Sequence, residues 1–225
     1  MVAIDLPIGS QPIHNLIERF MEKRSPLLAP VELLWALIGL VLTILGTWME
    51  TFTVSPTWIW SQSGATVFSL GVSFQVGAVL LTACVGGRNA AALSQVAYLV
   101  LGLALFQAFK LPIFTQGGGL SYVREPGFGY LLGFIPAGWL CGHLAFSWSP
   151  KLENLALSGL CGLGIIHASG FIYLTLASLL GWLKMVSNSY GELVWSYSVL
   201  LLPGHLVLVC AVAVLSLALR RALFY

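Results

Sequence analysis

LPIFTQGGGLSYVREPGFGYLLGF, residues Leu111 to Phe134, interrupts a chain that is otherwise apolar over long runs. Glycine lets the backbone take positive φ and approach a neighbour closely, whereas proline fixes φ and cannot donate a helical hydrogen bond. Gly117-Gly118-Gly119 and Pro126-Gly127 therefore stop either flanking helix from running through. The stretch is a loop. Irregular backbone near membrane depth is tolerated where protein buries it or a cavity adjoins it, because an unpaired amide in lipid is costly. Two readings follow: a binding site, or an ordinary extracellular connection carrying turn glycines.

Composition on both sides of the loop sets the class. Apolar residues make up 58% of the 225, charged residues only 8%, and the mean hydropathy is +0.93. A spanning helix takes about 20 apolar residues, so the chain has room for five to seven spans and for no soluble catalytic domain. The net charge of +2 comes from scattered Lys and Arg residues, which give nucleic acid no electrostatic footprint. Cys84, Cys141, Cys161 and Cys210 each lie singly in an apolar run, without the spacing of a zinc site or a disulfide framework, and read as small packing residues. No paired carboxylates or His clusters face one another within the spans, so neither a catalytic nor a metal-binding set is expected and the chain does not read as an enzyme.

Upstream of the loop, Ala90 to Phe109 reads as a span, preceded by a tight turn at Gly86-Gly87-Arg88-Asn89 and a short span from about Val72 to Gly87. The first span runs from about Val31 to Phe52, with Gly39, Thr43 and Gly46 as small residues that permit close helix approach. Residues 10–25 alternate Ile13, Leu16, Ile17, Phe20 and Met21 with a charged face, the pattern of an amphipathic helix lying at the interface. Downstream come spans at Gly129 to Trp148, Leu155 to Leu183 and Pro203 to about Leu219, with a polar connection carrying Asn188, Tyr190, Glu192 and Trp195 before the last. His143 and His167 lie within spans, where a histidine is either a functional group or a side chain satisfied by a neighbouring carbonyl.

The expected fold is thus an all-α integral membrane protein. It has an amphipathic cytoplasmic segment over residues 1–30 and a membrane domain over 31–225 with six transmembrane helices, the glycine-rich loop joining helices 3 and 4. Alternating the loops puts Arg19, Lys23, Arg24, Arg88, Lys151, Arg220 and Arg221 on one face and Lys110, Arg124 and Lys184 on the other, seven against three. The positive-inside rule then makes both termini cytoplasmic. The loop and Pro203-Gly204-His205 fall together at the outer ends of their helices.

Four segments, in order, resemble a known family: Val72-Ser73-Phe74-Gln75 before a short apolar helix, Leu111-Pro112-Ile113-Phe114 leading into Gly117-Gly118-Gly119, Pro126 to Phe134, and Leu202-Pro203-Gly204-His205. They are similar to the BioY family, the biotin-binding specificity components of energy-coupling factor transporters, over about Val31 to Arg221. The resemblance implies a six-helix cell-membrane protein with an outward-facing biotin pocket. It would hand the vitamin inward on a transmembrane coupling protein driven by two cytoplasmic ATPases. The chain carries no Gly-x-x-x-x-Gly-Lys-Ser/Thr phosphate loop, in keeping with ATP hydrolysis by separate subunits.

A biotin pocket needs polar groups for the ureido ring, apolar or aromatic walls, and a donor or cation for the carboxylate. On the resemblance, Gln75 and Gln116 pair with the ring, Tyr122, Tyr130 and Trp195 form walls, and Gly118, Gly119 and Gly129 bring backbone close. Arg124 meets the carboxylate. His205 stands where the family commonly has Asp, Leu208 where it has Lys, and Phe128 where it has a second glycine. At the first turn of the last helix a neutral imidazole accepts one hydrogen bond and donates another, so His205 either takes over the Asp's role or only caps the helix. A membrane scaffold or interaction protein with an altered pocket is the alternative function.

Overall fold

The computed structural model describes residues 30–54, 67–115, 117–181 and 189–224. The amphipathic segment expected over residues 10–25, Gln116 and Lys184 lie outside the described residues. Helix α1 (Pro30–Trp48) leads into strand β1 (Glu50–Val54), which pairs antiparallel with β2 (Val67–Ser73). Helix α2 (Gln75–Phe109), a 3-10 turn (Leu120–Arg124), α3 (Phe128–Ser147) and α4 (Leu152–Leu179) follow. The chain ends with a short α5 (Tyr190–Val194), a π turn (Trp195–Val199) and α6 (Leu202–Phe224). Among the described residues five helical segments are long and apolar enough to cross a membrane, the last running from Tyr190 through α6 to Leu223.

The two strands amend the all-helical expectation. Thr51, Thr53, Val54, Val67 and Val72 are β-branched and Phe52 and Phe68 aromatic, the residue types that favour a pleated backbone. Glu50 lies opposite Ser73, and Phe74 N–H donates to Met49 O at 2.8 Å, closing the hairpin onto the end of α1.

Residues 75–109 are helical throughout except at Gly87, whose φ of 87° and ψ of 175° are open to glycine and strained for any other residue. Gln75 Nε2 donates to Tyr98 Oη at 2.8 Å. In an uninterrupted helix these residues would be roughly 35 Å apart, at about 1.5 Å per residue. The chain therefore folds back at Gly87, and α2 is a hairpin of two limbs, with the turn where the sequence puts it. Helix α1 packs against both limbs through its buried stripe Ala36, Gly39, Thr43, Gly46 and Thr47. A Cβ on Gly39 would run into Thr82 of the first limb and stand 3.1 Å from Ser94 of the second. Polar rungs reinforce this contact. Thr47 Oγ1 lies 3.0 Å from Tyr98 Oη, and Gln95 Nε2 donates to Thr43 Oγ1 at 3.1 Å.

Helices α3, α4 and α6 pack on the hairpin around a core that includes Leu80, Ala137, Leu163, Ile166 and Val209. The Sγ atoms of Cys84 and Cys141 are 3.6 Å apart as buried free thiols, in the packing role expected of them, while Cys161 and Cys210 are exposed on helix surfaces. At the Gly87 end, Arg220 Nη1 donates to Ala145 O at 2.8 Å with its guanidinium 4.2 Å above the Phe146 ring. Arg88 Nη1 lies 3.3 Å from His143 Nδ1, and Asn89 Nδ2 donates to Glu32 Oε1 at 3.0 Å.

The opposite end holds the glycine-rich loop. Lys110, at φ 57°, ends α2 with its N–H on Phe106 O. Phe114 and Gly117 exchange backbone hydrogen bonds at 3.1 and 3.2 Å, and Gly119 N–H reaches Gly102 O at 3.3 Å. Phe114, 1% exposed, packs against Tyr98 and Tyr122 at ring-centroid distances of 5.3 and 4.7 Å. The loop is therefore tied into the bundle, with the amides of Phe114, Gly117 and Gly119 paired there.

Candidate ligand-binding cavity

At the loop end a cavity of about 190 Å³ opens between the strand hairpin, the 3-10 turn and the helices. Its walls come from segments distant in sequence: Gly71 to Ser73 with Gln75 and Val76 on one side, Thr115 and Tyr122 from the loop, Gly127, Tyr130, Leu131 and Phe134 from the start of α3. Ile166 of α4, Tyr197 of the π turn, and Leu201 and His205 at the head of α6 complete it.

Four of the residues expected in a site line this cavity: Gln75, Tyr122, Tyr130 and His205. Gln75 is 7% exposed and is held by its bond to Tyr98. The ring of Tyr122 is fixed between Phe114 and Phe128. Tyr130 Oη lies 2.6 Å from Ser198 Oγ, and its ring stacks on Tyr197 at 6.0 Å. His205 Nδ1 lies 3.3 Å from His167 Nε2, whose ring stands edge-on to Tyr130.

The other expected residues sit elsewhere. Gly118 and Gly119 pack behind the cavity against the second limb of α2, where a Cβ on Gly118 would stand 2.6 Å from Gly102 O. Gly129 is the close-approach point between α3 and Tyr173 of α4, and Tyr173 Oη donates to Val123 O, pinning the loop to α4. Arg124 is exposed on the 3-10 turn, next to but outside the lining. Trp195 is 59% exposed and outside the lining, and Tyr197 lines the wall. The reason is local. The supposed polar connection is helical, started by a capping box in which Glu192 N–H donates to Ser189 Oγ and Glu192 Oε2 accepts from Ser189 N–H. It then widens into a π turn with Leu200 N–H on Trp195 O, which shifts the helical phase.

Sequence reasoning missed Tyr197, Thr115 and the strand residues Gly71 to Ser73, and it left His167 undecided. The aromatic content near Trp195 pointed to a wall but could not choose the residue. No local signal joined His167 to His205, which are 38 residues apart on separate helices.

The lining mixes neutral hydrogen-bonding groups with tyrosine rings and aliphatic side chains and, among the described residues, includes no Asp, Glu, Lys or Arg. Such a surface suits a small, mostly apolar molecule with an amide-like polar head. Fold and cavity together define a multi-pass membrane protein with a candidate small-molecule site at one end of its helical bundle.

Comparison with known proteins narrows this class. The BioY family model matches residues 25–224. A biotin transporter of Thermotoga maritima, BioY, is 37% identical over 121 residues, and a probable biotin transporter of Lysinibacillus sphaericus, also BioY, is 40% identical over 118. Each match covers 52% of this chain and, respectively, 64% and 57% of those proteins, so the chain spans less than two thirds of the named transporters it matches. An uncharacterized 21.2 kDa protein of Cyanophora paradoxa is 29% identical over 85% of this chain and 95% of its own length. The crystal structure of an S-component for biotin from an ECF-type ABC transporter superposes with a TM-score of 0.56 over 96% of this chain and 95% of that one, at 16% identity, a likeness of fold. The chain belongs to the BioY family.

Proposed function

We propose that this chain is the biotin-binding membrane subunit of an energy-coupling factor uptake transporter, a transport component and not an enzyme. The observation that carries the reading is the coincidence of the family match with a neutral, tyrosine-walled cavity to which three of the four motif segments contribute lining residues, through Val72 to Gln75, Gly127 to Phe134 and His205. Gln75, Tyr122, Tyr130, Tyr197 and His205 contact the ligand, and Gln116 belongs to the same set on the resemblance alone. The cavity is smaller than the roughly 300–1,000 Å³ of sites that enclose drug-sized ligands. A bicyclic ureido head fills it, and the valerate tail runs to the mouth, where Arg124 meets the carboxylate. Gly118, Gly119 and Gly129 support the walls from behind.

The reversal at Gly87 supports six spans, with the two limbs of α2 counted separately. Arg88, Arg220 and Arg221 gather at the Gly87 end, joined by Lys151 in the turn after α3, against Lys110 and Arg124 at the cavity end. This supports cytoplasmic termini and an outward-facing cavity. A coupling protein and two ATPases complete the transporter. The test is titration calorimetry of the purified chain with biotin. Saturable binding is expected, and His205→Ala weakens it by about 1–3 kcal/mol by leaving a buried polar partner unmatched. No binding by the wild-type chain favours the scaffold function instead.

A further inference from the structure

The His167–His205 pair constrains the ligand more tightly than cavity shape does. The two rings meet through His205 Nδ1 and His167 Nε2 at 3.3 Å, so one of these nitrogens carries the bridging proton and the other accepts it. The second nitrogen of His167, Nδ1, is buried and has no hydrogen-bond partner. This orphan decides the direction. If His205 donated, His167 Nε2 would be the acceptor and its proton would sit on Nδ1, as a buried N–H with nothing to receive it. Orphaned buried N–H groups are rarer than under-satisfied acceptors. If His167 Nε2–H donates, Nδ1 carries only a lone pair, and His205 Nδ1 is the acceptor. A neutral His205 then holds its proton on Nε2. That atom is not among the buried unpartnered ones, and His205 is part of the cavity lining.

We infer that His167 is a positioning residue that fixes the tautomer of His205, so that His205 presents an Nε2–H donor to the ligand and the cavity selects a molecule with a carbonyl or carboxylate acceptor at that point. The inference rests on the biotin reading for the identity of the ligand but not for the proton's place. A carboxylate side chain at position 205 would offer acceptors only, whereas this imidazole offers a donor whose orientation is set from behind by a second helix. For a ureido ring, the atom facing His205 is then the carbonyl oxygen, and the ring N–H groups turn to other acceptors in the lining, such as the Gln75 amide oxygen or a tyrosine hydroxyl.

The experiment is nitrogen-15 NMR of the full chain in lipid nanodiscs with labelled histidine, the signals assigned with His167→Phe and His205→Gln variants. The expected result is a neutral His205 with pyrrole-type Nε2 and pyridine-type Nδ1, with that preference lost or reversed in His167→Phe. Biotin should shift the His205 Nε2–H resonance downfield, and His167→Phe should weaken biotin roughly tenfold, the size of one lost hydrogen-bond arrangement. A His205 proton on Nδ1 in the wild-type chain overturns the inference, as does an unchanged tautomer and affinity in His167→Phe. If the tautomer is as expected but biotin neither binds nor shifts the resonance, the biotin reading fails while the donor assignment stands. If biotin binds with the proton on Nδ1, the donor assignment fails and the biotin reading stands.

Discussion

The two ends of the bundle solve the same problem differently. At the Gly87 end the helices are joined by tight turns, and charged side chains are used as clamps. Arg220 holds the end of α6 to the last turn of α3, and Arg88 and Asn89 tie the hairpin turn to α3 and α1. At the cavity end a strand hairpin and the glycine-rich loop join the helices, and the polar pairs around the cavity are neutral: Gln75 on Tyr98, Tyr130 on Ser198, His205 on His167. One end is clasped by charge and small residues around an open groove of about 560 Å³ that Glu32, Arg88 and His143 help to line, and the other is braced by aromatic rings around a cavity of about 190 Å³.

Breaking the Gly87 end should have the largest effect. A Cβ on Gly142 would lie 2.5 Å from Arg88 N and 2.7 Å from its Cα, backbone atoms that cannot move without opening the hairpin turn. Gly142→Val should therefore cost about 3 kcal/mol of stability by overpacking, read as a lower thermal midpoint in detergent. Arg220→Met comes next, at about 2 kcal/mol, from the lost donor to a buried carbonyl and the lost contact with Phe146. Both variants should bind biotin with wild-type affinity in their folded fraction, and a large affinity loss in either would erase the division between the ends. The smallest effect belongs to Arg124→Ala at the mouth. It should cost about 0.5 kcal/mol of binding, since an exposed ion pair contributes little, with no change in stability. Raising the ionic strength should remove the difference from wild type, as seen by calorimetry at low and high salt.

Local chemistry was legible in the sequence, and long-range register was not. Gly86 to Asn89 announced the reversal because only glycine tolerates the φ found at Gly87, and the Gly117 to Gly119 loop announced itself by forbidding helix. The buried stripe on α1 was visible as Gly39, Thr43 and Gly46 at helical spacing. The strand hairpin was not, because the partners Glu50 and Ser73 lie 23 residues apart and their pairing leaves no periodic trace in so short a segment. Within the site, Gln75, Tyr122, Tyr130 and His205 carried signals of residue type beside a chain break. Trp195 and Tyr197 exchanged places through a π turn, and a one-residue change of helical phase is invisible to a pattern read at 3.6 residues per turn. The glycines expected to touch ligand instead let helices and loop meet, because a missing Cβ serves packing and binding equally well and composition cannot tell them apart.

The cavity walls run from Gly71 to His205, with pieces from the first limb of α2, from α3, from α4 and from the π turn and α6. During synthesis the helices enter the bilayer in order, so neither the hairpin limbs nor the glycine-rich loop encloses a ligand until α6 is in place to bring His205 against His167. The cavity is thus the last feature this chain completes as it is made, and a product stalled before α6 lacks the wall that Leu201 and His205 supply.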